Sequence, residues 1–207
     1  MTRQVFYRRN LPHLHAYSGT YFITYRLHNS IPIHLLEELR AEYKSHLTIT
    51  KDKNETLKHL FIKYDKLLEN NQLDSINLTD PKLAEQVKRT LHYPDKKDYN
   101  LICYCIMPNH VHLVFELTKE SKGVQRILHS IKRISAIEIN KIISKTGALW
   151  QSESYDRLIR DDKELYHTCN YVLNNPVNAK LVSHANQWQH SYYDHTIISP
   201  PDPPADK

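Results

Sequence analysis

Two histidines one residue apart, His110 and His112, form a pair whose type and spacing suit metal chemistry. The apolar and β-branched residues around them predict a β-strand. Side chains two positions apart in a strand point to the same face, so the imidazoles are expected side by side, with Val111 facing the core. Such a pair is half of a metal site. The alternative is two histidines on a solvated sheet face.

A tyrosine in the last predicted helix, Tyr171, is the candidate nucleophile. It lies four residues after His167 and four before Asn175, so these three side chains share one helical face. Cys169 and Val172 fall on a different, apolar face that would pack against the protein. A phenol one turn from an amide oxygen could act as a nucleophile beside a metal ligand. The alternative is an amphipathic tyrosine half-buried against the sheet.

A long helix predicted from about Lys122 to Lys145 carries a basic face. Apolar residues recur along one side from Val124 to Ile134, and a single acid, Glu138, occurs in the whole segment. A merely solvated helix face usually mixes charges of both signs, so this one predicts contacts with phosphate groups. The basic residues expected to bind DNA are Lys122, Arg126, Lys132 and Arg133, with His129 on the same side as three of them.

Strands and helices alternate in the segments that must position these residues. Strands are predicted over Thr20–Arg26, near 100–107 and 110–117 on either side of a Pro-Asn turn, and over Tyr155–Ile159. Helices are predicted over Ile33–Tyr43, through the apolar positions 57–68, from Asp80-Pro81 to about His92, and from a capping box at Asp161 to a stop at Pro176. This pattern predicts an α+β sandwich, with helices on one face of a small antiparallel sheet.

Composition places the chain among globular proteins without a membrane span. The net charge is 28 − 23 = +5, which is compatible with nucleic acid binding but does not establish it. The cysteines number three, which predicts reduced thiols and a cytoplasmic location. We expect one catalytic domain over residues 1–198, a helical insertion at 44–80 without a catalytic role, and a loose Pro-rich tail at 199–207.

Several of these motifs occur together in one known family. Met107-Pro-Asn-His-Val-His-Leu-Val114 resembles the HUH signature of the single-tyrosine transposases, which include the insertion-sequence 200/605 type and the REP-associated tyrosine transposases. The tract Trp150–Asp161 is similar to the segment before the catalytic helix of that family. Tyr171–Val182 resembles its Tyr-Ile-x-x-Asn-Pro-Val-Lys-Ala-Gly-Leu-Val block, and Arg9–Arg26 resembles the N-terminal strand of the REP-associated branch. The likeness covers roughly residues 8–30 and 80–193.

The resemblance implies a ferredoxin-like fold and metal-dependent cleavage and joining of single-stranded DNA. In that reading His110 and His112 hold a divalent cation, Mg²⁺ or Mn²⁺, and Asn175 matches the position of a third ligand. Tyr171 aligns with the nucleophile, which would form a 5′-phosphotyrosine intermediate. The implied partner is single-stranded DNA that folds into hairpins, and the protein would be a monomer or a homodimer. The sequence departs from the family at Lys180, where glycine is usual, and at Asn178, where lysine is common.

Two other functions stay open at this stage. The first is a DNA-binding protein or repressor, derived from a transposase, that binds hairpins without cutting them. The second is a zinc-binding protein, because a two-residue turn at Pro108-Asn109 would place Cys105 opposite His112, and thiolates with imidazoles prefer Zn²⁺. In that case Cys103 and Cys105 would join the two histidines as ligands.

Overall fold

The computed structural model describes residues 5–8, 12–15, 18–50, 53–70 and 76–200. Its strands are β1 (Val5–Arg8), β2 (Pro12–His15), β3 (Thr20–Arg26), β4 (Tyr99–Ile106), β5 (His110–Leu117), β6 (Tyr155–Ile159) and β7 (Ser191–Tyr193). Its helices are α1 (Ile33–Thr50), α2 (Lys53–Asn70), α3 (Pro81–His92), α4 (Val124–Ile142) and α5 (Asp162–Asn178), followed by one short 3-10 helix at Ala185–Gln187.

The main sheet has five strands in the order β6-β3-β5-β4-β7, and every neighbouring pair is antiparallel. In chain order, β3, β4, β5 and β6 follow the β-α-β-β-α-β connection of ferredoxin-like proteins. The first and third of these strands, β3 and β5, are central in the sheet. The predicted α+β, ferredoxin-like sandwich is therefore confirmed. A separate hairpin of β1 and β2 precedes it, and Pro12 stands at the first position of its second strand, where a missing N–H is tolerated.

Helices cover both faces of this sheet, so the expectation of helices on one face is wrong. Tyr21, Ile23 and Tyr25 of β3 pack in a core with α3 and α4. Phe22, between them, packs on the opposite side with residues of α1, α2 and α5. Nearly every residue of β3, β4 and β5 is buried. A strand buried on both faces carries a near-continuous apolar and aromatic run in place of alternation, so these runs already indicated that both faces are covered.

Helices α3 and α5 begin at side-chain caps. The Asp80 carboxylate accepts hydrogen bonds from the N–H groups of Lys82 and Leu83 and starts α3 ahead of Pro81, as predicted. At α5, Asp161 accepts from the N–H of Glu164, so the predicted start is confirmed as well. Helix α1 continues to Thr50, beyond its predicted end.

The prediction that Pro176 stops the last helix is wrong, because α5 continues through it to Asn178. Proline removes one N–H donor, but the next turn closes with bonds from the Ala179 N–H to the Asn175 carbonyl and from the Leu181 N–H to the Pro176 carbonyl. Lys180 then takes a φ of 58°. This left-handed conformation after a helix explains why glycine suits the position.

Residues 201–207 of the predicted loose tail lie outside the described part of the chain. The division into a domain at 1–198 and a tail at 199–207 stays a prediction. Within the described ranges, none of the helices combines the length and the apolar character required to cross a membrane.

Candidate metal centre and facing tyrosine

The two histidines of β5 lie side by side in the interior, on the face covered by α1, α2 and α5. His110 and His112 are almost fully buried, and their Nε2 atoms are 3.0 Å apart. Val111 between them belongs to the core on the other face. The predicted alternation is confirmed, and the alternative of a solvated histidine pair is wrong.

The outer nitrogen of each ring is held by a hydrogen-bond partner. His110 Nδ1 lies 2.6 Å from the Asn109 side-chain oxygen, and His112 Nδ1 lies 2.8 Å from the Thr24 hydroxyl. An amide oxygen only accepts, so Nδ1 of His110 carries the proton and its Nε2 lone pair is free. The Thr24 hydroxyl can donate or accept, so this contact alone does not set the tautomer of His112. Burial away from water lowers the pKa of both imidazoles to about 3. Both rings are therefore neutral at neutral pH.

A carboxylate from α2 completes this cluster. Asp65 Oδ1 is 3.4 Å from His112 Nε2, and ligand atoms of Asp65, His110 and His112 all lie within 4.8 Å of one another. Burial raises the pKa of Asp65, against the opposing effects of His110 and of hydrogen bonds from Tyr171 and Asn175. Sequence analysis gave residues 44–80 no catalytic role and missed Asp65. The available signal was a carboxylate on the apolar side of a helix, four residues after Phe61 and three before Leu68.

The predicted nucleophile reaches the same carboxylate from α5. The Tyr171 hydroxyl donates a hydrogen bond to Asp65 Oδ2, and the Tyr171 ring centroid is 5.7 Å from that of His112. Phe22 and Phe61 pack edge-on against the phenol ring. Burial raises the pKa of Tyr171 well above its ordinary value, and the Asp65 charge adds to this effect. In this arrangement the phenol is protonated.

Asn175 also lies at the cluster, one helical turn beyond the tyrosine. Its Nδ2 is 3.3 Å from Asp65 Oδ2 and 3.3 Å from the Tyr171 hydroxyl. Its Oδ1 is buried and makes no hydrogen bond within the described ranges. The assignment of oxygen and nitrogen in an amide follows from its hydrogen-bond network, and here the nitrogen faces the carboxylate. Asp65, rather than Asn175, presents an oxygen to the histidine pair.

The donor set fits a divalent cation. Two nitrogens that ligate one cation at about 2.1 Å are about 3.0 to 3.4 Å apart, which matches the spacing of the Nε2 atoms. His110 Nε2 is unprotonated, and the buried Asp65 Oδ1 makes no hydrogen bond within the described ranges. Imidazole with carboxylate suits Mn²⁺ and is accepted by Mg²⁺. Asp65, His110 and His112 are therefore the residues that would hold the ion.

The cysteines do not take part in this cluster. Cys105 pairs with His112 across β4 and β5, as the zinc alternative required, but its Sγ lies 3.6 Å from the Met107 sulfur. Burial raises the pKa of Cys105 to about 12, so it is a thiol rather than a thiolate at neutral pH. Of the described residues, the group with metal-ligand spacing contains only Asp65, His110 and His112. This geometry does not favour a zinc-thiolate site.

The predicted DNA-binding residues fall into two groups, those that are exposed and one that is hydrogen-bonded within the protein. Lys122, Arg126 and Arg133 are exposed, and both arginines line a groove of about 640 Å³ between α4 and residues 147–154. Lys132 lines it too, but its Nζ donates to the carbonyls of Gln151, Ser152 and Glu153. Lys132 therefore holds this segment against α4. The exposed Arg126 and Arg133 are the groups of this groove that can contact phosphates.

The fold and the cluster together define a class of protein: a ferredoxin-like domain whose central hairpin carries paired histidines opposite a tyrosine on the last helix. Residues 75–175 match the family model described as "Transposase IS200 like". The resemblance seen in the motifs to the IS200-like transposases is thereby confirmed.

Two relatives of the REP-associated branch are similar to this chain. A protein of Haemophilus influenzae named as a REP-associated tyrosine transposase is 25% identical over 115 residues, which are 51% of this chain and 63% of that protein. The match therefore spans less than two thirds of this relative. A solved REP-associated tyrosine transposase bound to a REP hairpin has 17% identity and a TM-score of 0.51, covering 89% of this chain and 80% of that one. At this identity the structural match supports the fold.

Proposed function

We propose that this protein cleaves and rejoins single-stranded DNA at hairpin-forming sequences, with Tyr171 as the nucleophile and a divalent cation at Asp65, His110 and His112. One observation carries the proposal: Asp65 contacts both the Tyr171 hydroxyl and His112 Nε2, which brings the phenol to the edge of the histidine pair. The relatives named for REP elements support hairpin DNA as the partner.

The chemistry divides among the residues of the cluster. The bound cation would neutralise charge on the scissile phosphate. Tyr171 attacks the phosphorus while its proton passes to Asp65 Oδ2, the oxygen to which its hydroxyl already donates. The P–O bond to the 3′ oxygen breaks, and the DNA is left with a free 3′-OH and a 5′-phosphotyrosine. Attack by a 3′-OH on that linkage restores a phosphodiester without ATP, because the covalent bond conserves the energy.

The direct test is incubation of the protein with an end-labelled hairpin oligonucleotide that carries single-stranded flanks, with Mg²⁺ or Mn²⁺ and with EDTA. We expect a protein–DNA adduct that survives denaturing electrophoresis and requires the metal. Suitable oligonucleotides come from imperfect palindromes that flank the gene. If none of the palindromes gives adduct or cut product with either ion, the proposal of cleavage is wrong.

A protein that binds hairpins without cutting them is the second candidate, and the burial of the cluster favours it. His112 and Asn175 are 0% exposed, and α2 lies over them. A DNA strand reaches the metal ligands only if α2 shifts. The same assay separates the two functions, because a non-cleaving binder shifts the hairpin in a native gel and yields no adduct.

The role of Asp65 can be tested by Asp65→Asn, which keeps the shape and removes the charge. We expect Mn²⁺ affinity to fall about 10- to 100-fold, because a buried anionic oxygen is lost from the donor set. Calorimetric titration of metal-free protein measures this. Asp162→Asn, the same change at an exposed carboxylate of α5, should bind Mn²⁺ as the wild type does. Equal affinity of the Asp65 variant and the wild type would remove Asp65 from the metal site.

The basic face of α4 can be tested by the double variant Arg126→Gln, Arg133→Gln. Loss of two phosphate contacts should weaken hairpin binding and reduce the slope of log affinity against log salt by roughly 1.4, at about 0.7 per contact with a single strand. Binding is measured by fluorescence anisotropy at several salt concentrations. Lys82→Gln with Lys163→Gln, two exposed residues of α3 and α5, is the charge-matched control. An unchanged slope in the arginine variant would place the DNA elsewhere.

A further inference from the structure

A buried arginine is the cross-strand partner of one of the candidate metal ligands. Arg26, the last residue of β3, is 3% exposed and pairs with His110 of β5. Residues directly opposite in an antiparallel pair share a face of the sheet, as the bond between Thr24 and His112, two positions along, shows. The Arg26 side chain therefore lies on the same face of the sheet as His110, at the end of the sheet near the turn between β4 and β5.

This guanidinium has hydrogen-bond acceptors but no anionic partner. Arg26 Nη1 is 3.1 Å from the Ser30 hydroxyl and 3.4 Å from the Leu27 carbonyl, and the guanidinium also bonds the Tyr64 hydroxyl. Of the ion pairs between described residues, none includes Arg26. Burying a charge without a counter-charge costs stability, and the cost is offset when an anion binds.

The surroundings leave room for such an anion. Arg26 lines a cavity of about 60 Å³ together with Arg40 of α1 and Tyr64 of α2. A water in the liquid takes about 30 Å³, so oxygens of a phosphate group can enter. Glu153 also lines the wall of this cavity.

A second cation approaches the same place from the other face of the sheet. Lys132 holds the carbonyls of residues 151–153, while the Gln151 N–H donates to the Arg26 carbonyl at 2.9 Å. Burial lowers the pKa of Lys132 to about 8, and the positive charge of Arg26 contributes to that shift. The charges of Asp156 and Glu153 oppose this shift, so acids of the same loop offset part of the positive charge of Arg26 and Lys132.

The cavity at Arg26 also adjoins the groove along α4. Gln151, Glu153 and Ser154 line both. Once α2 has shifted, a strand whose phosphates meet Arg126 and Arg133 can pass over residues 151–154 and reach Arg26 before it reaches His110. The order of these groups follows the path that a DNA strand needs between the basic helix and the candidate metal centre.

We propose that Arg26 binds a backbone phosphate of the DNA within one nucleotide of the scissile bond. This inference rests on the proposed function, since it takes the same DNA strand as its ligand. A guanidinium presents two parallel N–H groups to a phosphate, a geometry that lysine does not reproduce. Arg26 would fix the position of the strand beside the cation while Tyr171 supplies the attacking oxygen.

The test measures binding without metal, so it does not depend on cleavage. Hairpin oligonucleotides with one uncharged methylphosphonate at successive backbone positions are titrated, in EDTA, with wild type, Arg26→Gln, Arg26→Lys and Lys82→Gln. With the unmodified hairpin we expect Arg26→Gln to weaken binding about tenfold, Arg26→Lys to recover part of this, and Lys82→Gln to change it less than twofold.

The phosphate that Arg26 contacts is located by combining the Arg26→Gln variant with each methylphosphonate position in turn. At one phosphate, neutralising the DNA should cost wild type about tenfold and Arg26→Gln almost nothing, because the contact is already lost. If wild type cleaves, that phosphate should lie within one nucleotide of the mapped scissile bond. Equal losses in both proteins at every position would overturn the proposal. If wild type does not cleave, a coupled phosphate still establishes Arg26 as a binding residue, and only the proposal of cleavage is wrong.

A stability measurement distinguishes this role from a structural one. Because Arg26 is buried without a counter-charge, Arg26→Gln should unfold at the same temperature as wild type or higher. A drop of more than about 5 °C, together with unchanged affinity for the unmodified hairpin, would show that Arg26 serves the fold and would contradict the proposal.

Discussion

Tyr171→Phe is expected to abolish the covalent protein–DNA adduct and to reduce strand cleavage by at least about 10³-fold, because no other group supplies the attacking oxygen. The variant keeps the ring that packs on Phe22 and Phe61 and loses only the hydroxyl that bonds to Asp65. Hairpin affinity should therefore stay within about twofold of wild type. Denaturing gels of labelled hairpin measure the adduct, and anisotropy measures binding.

The matched control is Tyr166→Phe, five residues earlier on the same helix. Tyr166 is exposed, so its hydroxyl can be removed without changing the cluster, and full adduct formation is expected. The free energy of unfolding of Tyr171→Phe is expected to fall by about 1 to 2 kcal/mol, because one buried hydrogen bond is lost. Adduct that persists in Tyr171→Phe would show that another residue is the nucleophile.

His110→Ala is expected to remove metal-dependent cleavage, with a loss of about 10³-fold or more at saturating DNA, because one of two nitrogen ligands disappears from a buried site. Mn²⁺ binding measured by calorimetry should fall in parallel, while hairpin binding in EDTA should be retained. Together, the two binding measurements distinguish a variant that no longer binds the cation from one that no longer binds the DNA.

The control for that variant is His34→Ala, at an exposed position of α1, which should cleave as wild type does. Elemental analysis after treatment with a chelator adds a test of the ion itself. Loss of metal followed by rescue with Mg²⁺ or Mn²⁺ agrees with the nitrogen and carboxylate donor set. Zinc that resists the chelator, or full activity of His110→Ala at low metal concentration, would contradict it.

The histidine pair and the tyrosine could be predicted from sequence because each depends on a local periodicity. His110 and His112 are two apart in a strand, and Tyr171 and Asn175 are four apart in a helix. The family motifs then linked elements that are far apart in the chain. The fold class followed in the same way, since the order of strands and helices allows few sheet topologies.

Asp65 could not be placed by the same reasoning. Its neighbours along the helix, such as Tyr64 and Leu68, indicate only that this side of α2 is buried. Which strand α2 covers depends on how the α1–α2 pair returns to the sheet, and nothing local specifies that. Its contact with Tyr171 joins residues 106 positions apart. The segment that sequence analysis left without a role therefore supplies the carboxylate of the site.

Lys132 shows the opposite case, a residue whose charge indicated DNA and whose side chain holds a loop of the protein. On a helical projection it lies next to Arg133 in the basic run, and sequence alone does not show that the loop at 151–153 closes over it. Carbonyl groups without helix or sheet partners also accept hydrogen bonds from lysine, so the charge of a lysine does not by itself identify phosphate as its partner. The distinction requires the tertiary structure.

The central claim is that the Tyr171 phenol lies beside a cation held by the paired histidines. We would incorporate 3-fluorotyrosine at position 171 and record its ¹⁹F resonance while adding Mn²⁺ or Mg²⁺. One equivalent of paramagnetic Mn²⁺ should broaden the signal beyond detection, Mg²⁺ should leave it sharp, and His110→Ala should protect it from Mn²⁺. A ¹⁹F line that stays sharp when Mn²⁺ is shown to be bound would contradict the account.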